Sequence, residues 1–532
     1  MIGPVSDSRA AQYGGTLIRR PDVAGAPAPE QIHVQFGADA ATQAAVSWAA
    51  PAAVARPRLR LGPACGPPGR QVNAEERRYT DALTGETVWT YHARMDGLEP
   101  DTAHAFQVLH DGAAPSGGCF RTAPSGRSGP LRFTSFGDQS VPSPIGLGLG
   151  PNSPNAGYIV DAVESLSPLF HLLNGDLCYA NASDQPVATW TSFFANISRS
   201  ARHRPWMPAP GNHENEAGNG SHGYLSFQTR FDLPGNGSPA LRGLFYAFTA
   251  GPVRFLVLGN DDVCYQDAGF SGYRRDHVPG YQARRIDPYV RGYSGGLQRR
   301  WLERELAAAR RSNDIDWIVV CMHQVAMSSA HFNGADLGIR QEWLPLFDTY
   351  GVDLVVAGHE HHFERSFPVH GVLPGSPVLT PAPRGRSWAD GNTAVFDPAD
   401  GTVHLTIGGG GHPLTVPARP RHRPGEGIVI TGVRPGSPFV QRQSVLETEP
   451  APWSAHRDLA PFGFAAFDVV PAEPGGTTSI TVTYHGAAAG SRDYLPGDRF
   501  VLRKPLPAHV LGQDADRRAG VDRAAAAGTM AV

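Results

Sequence analysis

Metal-seeking side chains gather in five short blocks of this chain, most of them directly behind an apolar run. Asp138 stands in Gly-Asp-Gln at 137–139, Asp176 and Tyr179 in Gly-Asp-Leu-Cys-Tyr at 175–179, and Asn212 and His213 in Gly-Asn-His-Glu at 211–214. His323 closes Val-Cys-Met-His at 320–323. His359 and His361 lie in Gly-His-Glu-His at 358–361, and His331 stands between the last two blocks. Carboxylate, phenol, amide and imidazole groups are donors for first-row transition metals. A carboxylate has two oxygens, so Asp176 can serve two cations at once. Two cations about 3.5–4 Å apart clamp a phosphate, acidify a bound water and stabilise both oxygens of a displacement.

These donors need elements that deliver them to one place. Residues 131–136, 169–173, 253–258, 317–321 and 352–356 read as short apolar strands, and 402–407, 462–469 and 479–484 as later ones. Helices are predicted at 156–166, at 297–311 and at 340–350. Leu297, Trp301, Leu302 and Leu306 fall near helical spacing, with Ser294 available as a cap. Apolar strands alternating with helices imply mixed sheets buried on both faces, and open sheets of this kind place their sites beyond the carboxyl ends of strands. The Pro/Gly-rich stretch 369–400 reads as a surface excursion.

Upstream the texture differs. Ile32, Val34 and Phe36 alternate, then Val46 and Trp48, then Leu59 and Leu61, with Pro and Gly between them. Such a series predicts a β-sandwich. The expected organisation is an irregular leader at 1–28, a sandwich at 29–124, a catalytic domain at 131–508 and a disordered tail at 509–532. The fold class is α/β (α+β), with an N-terminal β-sandwich followed by central mixed β-sheets flanked by helices.

Bulk properties narrow the function. The 532 residues are 41% hydrophobic and 18% charged, with a formal net charge of −3. That balance excludes the basic footprint of a nucleic-acid binder. No stretch reaches the roughly 20 apolar residues of a membrane span. The first eleven residues lack the apolar segment of a signal peptide, and Arg19–Arg20 is followed by Pro21 and Asp22. Cys178 and Cys321, inside strand-end blocks, read as small buried apolar residues. Cys65 and Cys119 are candidates to pair within the first domain.

The blocks carrying Asp138, Asp176 with Tyr179, Asn212 with His213, His323, and His359 with His361 resemble the five-block pattern of purple acid phosphatases, in the metallophosphoesterase (calcineurin-like) superfamily. The stretch Gly-Leu-Glu-Pro-Asp-Thr at 97–102 resembles the turn before a late strand of fibronectin type III domains, with His104 where that family has Tyr. His362-Phe363-Glu364-Arg365 is similar to the family's His-x-Tyr-Glu-Arg with Phe for Tyr. Ser140 replaces a usual Gly, a change expected to alter the loop and not the ligand. His362 is expected outside the ligand set or at the surface, and the glycines before His412 to mark a tight backbone crossing.

The resemblance implies two metal ions sharing Asp176. Asp138, Tyr179 and His361 would complete one site, where a hard phenolate favours Fe(III). Asn212, His323 and His359 would complete the other, suited to Zn, Mn or Fe(II). His213 and His331 would bind the phosphate and protonate the leaving group. The implied activity is hydrolysis of small phosphomonoesters, acid phosphatase-type, by direct attack of hydroxide held on the metal pair. A phosphodiesterase or nucleotide pyrophosphatase with the same metals is the alternative; the tyrosine ligand argues against it. A surface- or carbohydrate-binding protein with an inactive hydrolase domain is a third reading, opposed by the intact ligand positions. The resemblance also implies a secreted or cell-envelope protein.

Overall fold

Alternation in the first hundred residues produces two four-stranded antiparallel sheets. One pairs Glu30–Phe36, Ala44–Ala50, Thr87–Met95 and Glu75–Thr80; the other pairs Arg70–Asn73, Arg58–Pro63, Ala103–Leu109 and Ser116–Arg121. Their inner faces bury Ile32, Val34, Trp48, Leu59, Tyr91, Phe106 and Phe120 as one core. His104 packs its ring 5.6 Å from that of Phe120. Its buried Nε2 finds no hydrogen-bond partner among the described residues, so it makes no corner bond. The structure is a computed structural model that describes residues 25–506 apart from 65–68, 143–152, 217, 267–290, 331–332, 386–387, 391–392, 413–424, 436–441 and 459–461. The leader up to residue 24, the tail from 507, Cys65 and His331 therefore lie outside the described residues.

Behind the sandwich, two mixed sheets make an α/β domain. The eight-stranded sheet runs, in spatial order, Trp206–Pro208, Phe170–Leu173, Leu131–Phe136, Phe462–Val470, Thr477–Ala487, Leu495–Pro505, Thr393–Phe396 and Trp388–Asp390. The seven-stranded sheet runs Tyr246–Ala250, Val253–Val257, Trp317–Cys321, Leu354–Ala357, Val403–Ile407, Phe363–Ser366 and Ser454–Asp458. Their strands are near-continuous apolar runs because both faces are covered. Phe133 joins the sheets: its ring stacks on Phe467 at 4.4 Å and meets Phe255 edge-on at 5.1 Å.

Several expectations meet a different local physics. The helix predicted at 340–350 is two helices, Leu337–Glu342 and Leu344–Tyr350, parted at Trp343. Pro345 causes the break, because it lacks an N–H and its ring clashes with the preceding turn. Leu297–Arg311 is helical as predicted, but Gly296, in the left-handed region, occupies the cap position. Ser294 lies two residues earlier and still accepts from the Gln298 N–H at 3.2 Å. The 369–400 stretch contributes two strands, Trp388–Asp390 and Thr393–Phe396, to the large sheet. An antiparallel pair the sequence did not announce, Glu426–Pro435 with Arg442–Pro450, is tied to the domain through Arg340, which meets buried Glu449 with both ends of its guanidinium.

The two domains share a polar seam. Arg77 and Arg94 converge on Oδ1 of buried Asp232 at 2.5 and 2.7 Å. Tyr79 of the sandwich meets Ser226 at 2.9 Å, and the Arg230 guanidinium lies between the Tyr79 and Trp190 rings. His33 Nε2 lies 3.1 Å from the Arg230 carbonyl and His92 Nε2 3.0 Å from that of Thr229. Cys119 carries a free, exposed thiol 3.3 Å from His203 Nδ1, and its candidate partner Cys65 lies outside the described residues.

Candidate metal centre

Strand direction decides where the donors meet. Leu131–Phe136, Phe170–Leu173 and Trp206–Pro208 run parallel in one sheet, and Val253–Val257, Trp317–Cys321, Leu354–Ala357 and Val403–Ile407 run parallel in the other. Their carboxyl ends open onto one edge, where Asp138, Asp176, Asn212, His323 and His359 leave the strands.

The backbone there is strained. Asp138, Ser140, Asp176, Tyr179 and His359 have φ of 59°, 68°, 53°, 60° and 69°, half of the ten positive-φ non-glycine residues among those described. Such conformations cost about 1–3 kcal/mol each and persist where surrounding bonds over-determine them. Those bonds are present: Asp138 N donates to Gly175 O, Ser140 N to Leu177 O, and His359 N to Asp138 Oδ2 at 2.8 Å. Serine at 140 meets the left-handed demand a glycine would meet freely. Gly358 is required by proximity, since a Cβ there would lie 2.5 Å from Asp138 Oδ2.

Asp176, His323 and His359 bring their ligand-capable atoms within 4.8 Å of one another. His323 Nδ1 lies 2.7 Å from the Asn174 carbonyl, which can only accept, so that nitrogen donates. Its Nε2 then faces Asp176 Oδ2 at 3.1 Å and Asn212 Oδ1 at 3.0 Å. His359 turns Nδ1 toward His323 Nε2 at 3.2 Å and Nε2 toward Gln266 Oε1 at 2.7 Å. Two imidazole nitrogens, a carboxylate oxygen and an amide oxygen thus converge, and the cluster wants positive charge. Without a metal it takes a proton: against burial, the charge and hydrogen bond of Asp176 push His323 up to about 10. His359 is driven well below its ordinary value, by burial first and by His323 second. A cation would replace that proton, and the donors fit one.

Beside this lies a second triangle. Tyr179 OH is 3.1 Å from Asp138 Oδ1 and 3.3 Å from His361 Nε2, and His361 Nε2 is 3.3 Å from Asp138 Oδ1. Burial, then the charges of Asp138 and Asp176, hold the phenol well above its usual pKa. Only a cation at this triangle would make it a phenolate.

His213 borders both. Its N–H donates to Asp176 Oδ1 at 2.9 Å and its Nδ1 lies 2.7 Å from Asn181 Oδ1, which leaves Nε2 toward the cleft, 3.9 Å from Asp176 Oδ2. Burial lowers its pKa although Asp176 raises it. His412, for which the sequence offered an approach to the pocket as the lesser alternative to a mere glycine crossing, packs its ring 4.3 Å from Tyr179 and 4.2 Å from His361. The crossing is real as well: a Cβ on Gly408 would lie 2.9 Å from Asp138 Oδ2. His362 is not at the surface; it is buried against Glu364 at 3.3 Å. Cys178 and Cys321 are buried and their thiols are pushed up by burial.

Sequence reading missed the residues that hold the donors. Glu214 accepts from the backbone N–H of Asp176, Leu177 and Gly211 at 2.7–2.8 Å, tying two blocks together. Asn260 Oδ1 receives the His323 N–H at 2.7 Å. Asn260 stands in Gly-Asn-Asp-Asp directly behind Val253–Val257, the same placement as the recognised blocks, and that signal was available. Gln266 has no local signature.

Residues 29–129 match the purple acid phosphatase N-terminal domain, and residues 152–363 match the calcineurin-like phosphoesterase domain. An uncharacterised protein of Mycobacterium tuberculosis (strain ATCC 25618 / H37Rv) is 51% identical over 496 residues, spanning 90% of this chain and 88% of that one. Fe(3+)-Zn(2+) purple acid phosphatase 12 of Arabidopsis thaliana is 24% identical over 400 residues, 73% of each chain. In structure the chain is similar to a purple acid phosphatase from yellow lupin seeds, with a TM-score of 0.61, 20% identity, and coverage of 91% of this chain and 75% of that one. Fold and site define a calcineurin-like metallophosphoesterase, an enzyme of metal-dependent phosphoester hydrolysis. Within that class the chain belongs to the purple acid phosphatase family, whose members use a dimetal centre. No helix among the described residues is long and apolar enough to cross a membrane.

Proposed function

We propose that the chain hydrolyses small phosphate monoesters, with Asp138, Tyr179 and His361 holding one metal, Asn212, His323 and His359 the other, and Asp176 shared. The observation that carries this is the convergence of His323 Nε2, His359 Nδ1, Asp176 Oδ2 and Asn212 Oδ1, four metal donors drawn from four strand ends. A phenol, carboxylate and imidazole on the first side suit Fe(III); two imidazoles and an amide on the second suit Zn, Mn or Fe(II). When bound, the metals would supply a water made acidic near neutral pH and a clamp for the phosphate oxygens.

The chain's own residues do the rest. Asn181 fixes the His213 ring so that Nε2 faces the cleft. His213 is held neutral by burial, and an arriving phosphate dianion raises its pKa again, so it takes up a proton with the substrate. That proton can pass from Nε2 to the departing alkoxide. His331 would share this task by the family resemblance. The match of Ser329-Ala330-His331-Phe332 to the family pattern is the support for that role.

Elemental analysis with a visible spectrum tests the metals: two per chain and a phenolate-to-iron band are expected, and a metal-poor, colourless, active enzyme would refute the assignment. Turnover of an aryl phosphate should exceed that of a bis-aryl phosphate. The reverse order would make the enzyme a diesterase.

A further inference from the structure

We infer that Gln266 is a positioning residue that sets the tautomer of His359 and thereby the affinity of the Asn212-side metal; this rests on the proposed role of His359 as a ligand. A neutral imidazole carries one N–H, and an amide oxygen can only accept. Gln266 Oε1 stands 2.7 Å from His359 Nε2, so the proton belongs on Nε2 and the Nδ1 lone pair faces the cluster, 3.2 Å from His323 Nε2. The main chain of His359 is fixed separately, its N–H donating to Asp138 Oδ2 at 2.8 Å. Backbone and ring are thus held by different partners.

Gln266 is itself anchored. Its N–H donates to Asp336 Oδ2 at 2.8 Å, and that of Tyr265 to Oδ1 at 3.0 Å. The same carboxylate caps Leu337–Glu342 by accepting from Gly338 N at 2.8 Å. Asp336 is buried, so this end of the segment is tied to a helix of the domain. His323 has a main-chain carbonyl, Asn174 O, in the corresponding place. His359 depends on a side chain, which substitution can remove. Partners of this kind are worth about 10–100-fold in metal affinity.

The test is titration of the metal-free full-length protein with Zn(II) against a chromophoric chelator. The parent should take up two equivalents. Q266L removes the acceptor at similar size, and Q266N withdraws it by one methylene; each should weaken one of the two Zn(II) equivalents by about 10–100-fold. Q266E keeps an acceptor in place and should restore affinity to the parent level or above. Rescue by Glu but not by Asn or Leu is the result a merely structural role would not give. Should the parent bind two Zn(II) ions and the variants match it, the inference falls alone. Should the parent bind none, the metal-site reading falls and takes this one with it.

Discussion

Two regions of this molecule bury clusters of polar side chains, and only one needs a cation. At the seam between the domains, Asp232 has Arg77 and Arg94 within 2.7 Å. Glu216 accepts from Trp190 at 2.7 Å and feels the charge of Arg230. His33 and His92 are driven down to about 4 and about 3, by burial first, and stay neutral against backbone carbonyls. At the strand ends, Asp138 and Asp176 form ion pairs only with histidines among the described residues. Burial of polar groups is common to both regions. What distinguishes a metal site is a deficit of fixed positive charge, since buried charge must be paired or coordinated.

The contrast can be broken by substitution. Asp176→Asn removes the charge both metals would share. It should cost more than the about 10²–10³-fold typical of one electrostatic stabiliser, with metal content falling from two equivalents; full activity in a metal-replete variant would end the case. His213→Ala should lower turnover of an alkyl phosphate by about 10²-fold or more, and of an aryl phosphate far less, because a good leaving group needs no proton. Equal losses on both substrates would remove His213 as the acid.

The seam should behave in the opposite way. Asp232→Ala leaves two arginines without their carboxylate and should cost about 3 kcal/mol of stability, read by urea unfolding, while turnover per folded molecule stays constant. The seam also responds to pH. His33 and His92 bind protons less readily folded than unfolded, so stability should fall as pH drops from about 6.5 through about 4. At 1.36 kcal/mol per pH unit, His33 contributes up to about 3 kcal/mol. Unfolding midpoints of the metal-free protein measured across that window check it; a flat profile would show that the seam does not stay neutral.

Much of the fold was legible because its signals are local. The helix at 297–311 announces itself through Trp301, Leu302 and Leu306, and the apolar strands through runs too short for anything else. Proline at 345 was equally visible, yet its effect on the helix before it was not drawn. The strand Thr393–Phe396 could not be read, since four residues inside a Pro/Gly-rich stretch carry no period and are strand through pairing with 388–390 on one side and 500–502 on the other.

The sequence by itself determined which donors stand behind which strands, because an apolar run ending in glycine and a polar ligand is written in consecutive residues. Only the tertiary structure decided which donors face each other, which ring nitrogen carries the proton, and that Gln266 and Asn174 hold the rings in place. Those facts arise between residues 36 to 221 positions apart. No local pattern can encode a pairing that exists only once two sheets lay their strand ends along one edge.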